Sequence, residues 1–134
     1  MNVLLLTGPG GDAQGWGPLD VTRAMAEALE ASGDAAEIAW VETEAQFFTA
    51  LDRGGFDIVW SALYQVTSRE AYIGTSEDGL WVADVFDQRG IPYVGSSSAT
   101  MKVMLDKYRT HALLAARGVP VPAHRLVRAD DADV

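Results

Sequence analysis

The sequence alternates short apolar segments with longer amphipathic ones, and this alternation limits most strongly the folds that the chain can adopt. The first apolar run, Val3–Leu6, precedes a glycine- and proline-rich segment, which is typical of a strand buried on both faces. Strands are predicted over 3–6, 35–41, 56–60 and 91–95, and helices over 18–32, 43–53, 78–89 and 107–117. Strand and helix thus alternate four times, which predicts an α/β fold with a four-stranded, mainly parallel sheet and helices on both faces.

The predicted helices carry apolar residues at three- and four-residue spacing, which indicates the faces that pack on the sheet. In the first helix this face is predicted to hold Val21, Ala24, Met25, Ala28 and Leu29. In the third helix it is predicted to hold Trp81, Val82, Val85 and Phe86. Asp106 is the expected N-cap of the last helix, and the segment 124–128 is expected to start one more strand.

The composition excludes several classes of protein and site. The 134 residues include ten Lys and Arg against nineteen Asp and Glu, and the resulting formal charge of −9 disfavours nucleic-acid binding. The absence of cysteine excludes disulfides, thiolate metal sites and cysteine catalysis. The apolar runs are far shorter than the about 20 residues that cross a bilayer, and no basic residue precedes the first run as in a signal peptide. These features predict one cytoplasmic domain without a membrane or nucleic-acid partner.

Three loops are predicted at the carboxyl edge of the sheet, where α/β proteins bind ligands, and they cover 8–17, 64–76 and 95–98. Gly8–Ala13 has the form of the dinucleotide fingerprint G-x-G-x-x-G/A, which makes a nicotinamide-dependent oxidoreductase one alternative. However, Pro18 places the helix start several residues later, and Asp12 would bring negative charge to the phosphate. A mobile loop that closes over a small ligand is therefore favoured, and a turn without a ligand is the other alternative.

Several other polar residues have an ordinary interpretation beside a functional one. Glu77 and Asp78 stand at the predicted start of the third helix, where acidic residues commonly act as caps. Lys102 and Lys107 are the only lysines, and both a solvated surface position and a contact with phosphate suit them. The two histidines are expected to be isolated, so the sequence predicts no metal site and no catalytic triad.

One continuous segment carries a more specific pattern. It begins with Gly-Ile-Pro-Tyr-Val-Gly-Ser at 90–96, continues through Leu105-Asp106-Lys107, and ends a helix with Gly-Val-Pro-Val-Pro at 118–122. These 33 residues resemble, in order and spacing, the D-alanine–D-alanine ligase family of the ATP-grasp superfamily. The Glu-Asp-Gly sequence at 77–79 is similar to a further segment of that family.

The resemblance implies a domain organisation and a reaction. It implies a Rossmann-like pre-ATP-grasp, substrate-side domain over 1–118, followed over 119–134 by a connector and the start of a missing ATP-grasp domain. It also implies an ATP-dependent ligase that uses Mg²⁺ and joins a carboxylate to an amine through an acyl phosphate, in bacterial peptidoglycan (cell-wall) biosynthesis in the cytoplasm. A homodimer is implied as well, through faces carrying Trp81 or Phe86, although both residues are equally expected in the core.

The resemblance also assigns site residues, with Lys107 contacting an ATP phosphate. The substrate-binding candidates are Asp12, Tyr64, Arg69, Glu77, Asp78, Gly79 and Ser96. A glutamate of the family's first loop is absent here and its histidine is replaced by Tyr64, so an amino acid or peptide other than D-alanine stays open as the substrate. Because most ATP and metal ligands of the family lie downstream of Val134, the chain alone is predicted to be inactive. The alternative is a stand-alone small-ligand-binding or regulatory module.

Overall fold

The computed structural model describes residues 1–9, 19–66 and 79–127, which belong to two compact units, Met1–Ser98 and Ala99–Val134. The first unit contains β1 (Asn2–Thr7), α1 (Leu19–Ala31), β2 (Ala35–Trp40), α2 (Glu44–Arg53), β3 (Ile58–Ser61), β4 (Gln65–Val66), β5 (Leu80–Trp81), α3 (Val82–Arg89) and β6 (Tyr93–Val94). The helix α4 (Ser98–Leu105) begins at the last residue of the first unit, and the second unit holds α5 (Lys107–Ala115). No helix in these described ranges combines the length and the apolar character needed to cross a membrane.

A four-stranded parallel sheet forms the centre of the first unit. Its strand order is β2-β1-β3-β6, so β1 lies between two parallel neighbours. Leu5 of β1 is in register with Ile38 of β2 on one side and with Trp60 of β3 on the other. The predicted α/β fold with a parallel sheet is therefore confirmed.

Side chains of β1 point alternately to the two faces of the sheet, as they must in any strand. Leu4 and Leu6 pack in one core cluster with Phe47 of α2 and Phe86 of α3. On the opposite face, Val3 and Leu5 belong to a second cluster with residues of α1. Helices consequently cover both faces of the sheet, as the sequence predicts.

The face of α1 that packs on the sheet differs from the predicted one. The buried residues are Thr22 and Ala26, with Met25 and Leu29 partly buried, whereas Val21, Ala24 and Ala28 are exposed. The predicted period is correct, but the face that packs on the sheet is shifted around the helix axis. Thr22, and not Val21, is buried in this face. The pattern counted threonine as polar and every alanine as apolar, so it could not give the rotation.

The start of the third predicted helix is also wrong. The helix α3 begins at Val82 with Trp81 as its N-cap residue, later than the predicted start at 78, and the expected caps Glu77 and Asp78 lie outside the described residues. Leu80 and Trp81, which are predicted in this helix, instead form β5 and pair antiparallel with β4, which lies in the predicted loop 64–76. This pairing satisfies the backbone groups of residues that are distant in sequence, and a local pattern cannot show it.

Two further expectations are corrected by the structure. Phe86 is only 1% exposed and lies in the core, so it does not offer a face for a dimer, while Trp81 is partly buried. Residues 124–127 form no strand in the described part of the chain. The expected N-cap of the last helix is confirmed, because Asp106 Oδ1 accepts a hydrogen bond of 2.9 Å from the backbone N–H of Arg109.

The helix α2 begins with a complete capping box. The side chain of Thr43 accepts a hydrogen bond from Gln46 N at 3.2 Å, and Gln46 Oε1 accepts one from Thr43 N at 3.1 Å. The same Gln46 oxygen also accepts from Glu42 N at 2.8 Å. Three backbone N–H groups at this helix start are therefore satisfied by side chains.

We expect Thr43→Ala to lower the free energy of unfolding by about 0.5–2 kcal/mol, because it removes this cap. Thr49→Ala is the matched control on the same helix, since the Thr49 hydroxyl donates to the Ala45 carbonyl one turn earlier and caps nothing. Urea unfolding monitored by circular dichroism measures both variants. Equal losses in the two variants would contradict the role of the cap.

Candidate functional site

The candidate site lies at the carboxyl edge of the parallel sheet. The strands β1, β3 and β6 end there at Thr7, Ser61 and Val94. The segments that follow them contain the residues that the sequence proposed for substrate binding. Of these residues the structure describes Tyr64, Gly79 and Ser96, while Asp12, Arg69, Glu77 and Asp78 lie outside the described residues.

Gly8 follows β1 at a point where only glycine fits. A Cβ atom on this residue would lie 2.0 Å from the carbonyl oxygen of Val41. The contact exists because Val41 N donates a hydrogen bond of 2.7 Å to the carbonyl oxygen of Thr7, which extends the pairing of β1 with β2. Close packing against Val41 thus explains why glycine occupies position 8, and no ligand is needed for this explanation.

The segment after β3 is held by a short turn. Ser61 Oγ donates to the carbonyl oxygen of Leu63 at 2.9 Å and accepts from Leu63 N at 3.0 Å. The carbonyl oxygen of Tyr64 then accepts a hydrogen bond of 3.1 Å from Val82 N at the start of α3. Tyr64 is therefore fixed in its backbone between the end of β3 and the start of α3.

A buried amide joins the two ends of the segment 67–78. Gln65 is only 2% exposed, and its Nε2 donates a hydrogen bond of 3.3 Å to the carbonyl oxygen of Gly79. A Cβ atom on Gly79 would lie 2.7 Å from Cδ of this amide, so glycine is required while the amide is in place. The two-stranded sheet of β4 and β5 adds the pairs Gln65–Trp81 and Val66–Leu80. Gln65 was missed in the sequence, because nothing local distinguishes it from the other polar residues of its loop.

Ser96 lies beside a group of acidic and hydroxyl side chains. The Tyr93 hydroxyl donates to Asp87 Oδ1 at 2.9 Å and lies 3.4 Å from the carbonyl oxygen of Ser96. Burial raises the pKa of Tyr93, and the hydrogen bond and charge of Asp87, with the charge of Asp84, raise it further. Ser98 is buried and its hydroxyl donates to Asp84. The phenol of Tyr93 is consequently neutral near pH 7 and serves as a hydrogen-bond donor.

Lys107 belongs to the second unit. It is the first residue of α5, directly after the N-cap Asp106, and its side chain is exposed. Among the described residues it has no ion-pair partner. Its assigned contact with ATP phosphate stays a prediction.

The two histidines are in contact with each other, whereas the sequence predicts that they are isolated. The rings of His111 and His124 meet edge to face with their centroids 4.8 Å apart, and Tyr108 packs against His124 at 5.5 Å. The Nδ1 atom of His124 lies 3.0 Å from the carbonyl oxygen of Pro122, to which it can donate. These contacts hold the residues after α5 against that helix. Within the described ranges no group of three or more His, Cys, Asp or Glu side chains could hold a metal ion.

We expect Gly79→Ala to lower the free energy of unfolding by about 1–3 kcal/mol, because the added methyl group collides with the buried amide of Gln65. In a Gln65→Ala background the same substitution should cost distinctly less, since the colliding atoms are gone. Urea unfolding of the wild type, both single variants and the double variant gives the coupling. Equal costs of Gly79→Ala in both backgrounds would show that this contact does not determine the glycine.

Tyr93 should ionise above pH 10, the ordinary value for a phenol, because its surroundings favour the neutral form. Ultraviolet titration of tyrosinate measures this, and the late-titrating component should disappear in Tyr93→Phe. Tyr108→Phe is the control, since Tyr108 lies in the second unit on α5. Loss of the late component in the control variant, or its persistence in Tyr93→Phe, would contradict the assignment.

Comparison with curated proteins finds relatives that are named D-alanine–D-alanine ligase. The chain is 31% identical to a D-alanine–D-alanine ligase of Erythrobacter litoralis over 107 residues, which are 80% of this chain and 30% of the relative. It is 31% identical to the ligase of Desulforudis audaxviator, with 83% of this chain and 33% of the relative covered. The ligase of Gloeobacter violaceus is 29% identical, with 80% and 32% covered.

The chain spans about a third of the length of the curated relatives it matches. No family model matches it, and no solved structure matches it significantly. The similarity extends over most of this chain and includes several ligases of the same name. The chain is therefore homologous to one part of the D-alanine–D-alanine ligases, and the predicted resemblance to this family is confirmed.

Proposed function

We propose that this chain is the substrate-side part of an ATP-dependent ligase that joins the carboxylate of an amino acid or peptide to an amine. The observation that carries the proposal is the similarity to several D-alanine–D-alanine ligases over about 80% of the chain. The parallel sheet supports it, because its carboxyl edge gathers Tyr64, Gly79 and Ser96, and open α/β sheets bind ligands there.

The chemistry of such a ligase starts from a weak electrophile. A carboxylate resists attack by an amine until one of its oxygens becomes part of a good leaving group, and transfer of a phosphoryl group from ATP supplies that group. The amine then attacks the acyl carbon, the new C–N bond forms, and phosphate leaves. The protein contributes by positioning the reactants and by placing positive charge near the transferring phosphoryl group.

Lys107 is the proposed contact to an ATP phosphate. Its ammonium group is exposed at the start of α5 and has no ion pair among the described residues, so it is available to an anion. The described residues offer no cluster of metal ligands, and no residue of this chain is assigned to Mg²⁺. Magnesium would be held mostly by residues of the complete ligase downstream of this chain, as the resemblance implies.

The remaining parts of the proposal follow from the resemblance. Residues 1–118 form the substrate-side domain and 119–134 lead into the ATP-grasp domain. Asp12, Arg69, Glu77 and Asp78 contribute to substrate binding together with the edge residues described above. The enzyme acts in the cytoplasm in cell-wall biosynthesis and forms a homodimer, and this chain alone is inactive.

The proposal is tested by amino-acid-dependent phosphate release from ATP in the complete protein that contains this chain. Lys107→Ala should lower kcat/KM by about 10²–10³, the usual effect of removing one group that stabilises developing charge. Lys102→Ala, the matched lysine substitution on α4, should change kcat/KM less than about threefold. The chain of 134 residues should release no phosphate by itself.

Phosphate release by the isolated chain would refute the predicted inactivity. Equal effects of the two lysine substitutions would refute the role of Lys107. Absence of any amino-acid-dependent ATP turnover in the complete protein would favour the alternative of a small-ligand-binding module.

A further inference from the structure

The first unit contains an apolar pocket of about 170 Å³ between its sheet and α1. Leu5 of β1 and Trp60 of β3, which are in register with each other, line it from the sheet. Val21, Thr22 and Met25 line it from the first two turns of α1. We call this the β1–β3 pocket.

The β1–β3 pocket lies where the fold itself provides a ligand site. The chain passes from β1 to β2 on one side of the sheet and returns to β3 on the other, so β1 and β3 flank the switch point of the strand order. The carboxyl ends of these two strands are joined by a hydrogen bond of 2.8 Å from Ala62 N to the carbonyl oxygen of Leu6, and both residues line the pocket. In open α/β sheets, the crevice at this point is where ligands bind.

The lining selects an apolar group. Its described residues include no charged side chain, and Thr22 supplies the hydroxyl among otherwise apolar or aromatic groups. A charged group placed here would lose its hydration without gaining a partner, which is strongly unfavourable. Val21 at the pocket is 43% exposed despite its apolar side chain, so a bound apolar group would cover it.

The volume excludes a methyl group as a matching occupant. An apolar cavity of about 150 Å³ in a protein stays dry and binds benzene. A methyl group is about as large as a water molecule, which occupies ~30 Å³ in the liquid. The side chain of alanine would therefore leave most of the β1–β3 pocket empty. A branched aliphatic side chain or a phenyl ring would fill it.

We propose that the β1–β3 pocket binds the side chain of the amino-acid substrate, and that this side chain is a large apolar one such as those of leucine and phenylalanine. The assignment of the ligand as an amino acid rests on the proposed function, while the size and polarity of the side chain rest on the pocket. Each buried methylene group strengthens binding by about fourfold. Leucine or phenylalanine should thus bind at least about tenfold more tightly than alanine.

The test measures binding to the 134-residue chain, first with benzene as a probe and then with alanine, leucine and phenylalanine in both configurations. Benzene should shift the nuclear magnetic resonance signals of Leu5, Met25 and the Trp60 indole. Ala62→Leu fills the pocket from the strand end and Val21→Phe covers it from an exposed helix position, so both variants should abolish the benzene shifts. Ala45→Leu, at an exposed position of α2, is the matched control and should retain them.

The outcomes separate this inference from the proposed function. Absence of benzene shifts, or equal shifts in the filled variants, would overturn the pocket as a site for an apolar group. Alanine binding as tightly as leucine and phenylalanine, or a preference that Ala62→Leu leaves unchanged, would overturn the assigned side chain. Ligase activity with a preference for alanine would overturn this inference alone, whereas preferred binding of the larger side chains without ATP turnover in the complete protein would overturn the ligase alone.

Discussion

Burial of β1 on both of its faces is the constraint on which the first unit depends. The strand gives Leu4 and Leu6 to the cluster under α2 and α3, and Val3 and Leu5 to the cluster under α1. It also pairs in parallel with β2 and β3 along both edges. The strand ends at Thr7, and Gly8 follows it at a point where a Cβ atom would collide with the Val41 carbonyl. The carboxyl edge of the sheet begins there.

The candidate site combines this fixed edge with contacts made by residues distant in sequence. Tyr64 is fixed through its backbone to the start of α3, and Gly79 is held by the buried amide of Gln65. Ser96 lies next to the hydroxyl of Tyr93, which Asp87 and burial keep neutral. The substrate-binding candidates that the structure describes are therefore held by hydrogen bonds, those of Tyr64 and Gly79 being to residues distant in sequence.

Local patterns in the sequence predict the four strands of the parallel sheet and the helices that cover it, because each depends on hydrophobic periodicity and glycine positions nearby. The predicted buried face of α1 was wrong, because Thr22 is buried where the pattern predicts Val21. The pairing of β4 with β5 was missed because its partners are separated by the segment 67–78. The contact between His111 and His124 depends on the path of a proline-rich connector, which no periodicity encodes. The roles of Lys107 and the substrate candidates came from family resemblance, since isolated polar residues carry no such information.

The hydrogen bond from Gln65 to Gly79 has a consequence for changes in the length of the chain between these residues. The segment 67–78 leaves and re-enters the framework at two neighbouring points that are held together by backbone pairing and a buried amide. Closing a longer or shorter loop between fixed ends changes the free energy of folding only slowly with its length. A change in the number of residues between Val66 and Gly79 should therefore alter the free energy of unfolding of the first unit only slightly, because the two ends stay joined by the same described contacts.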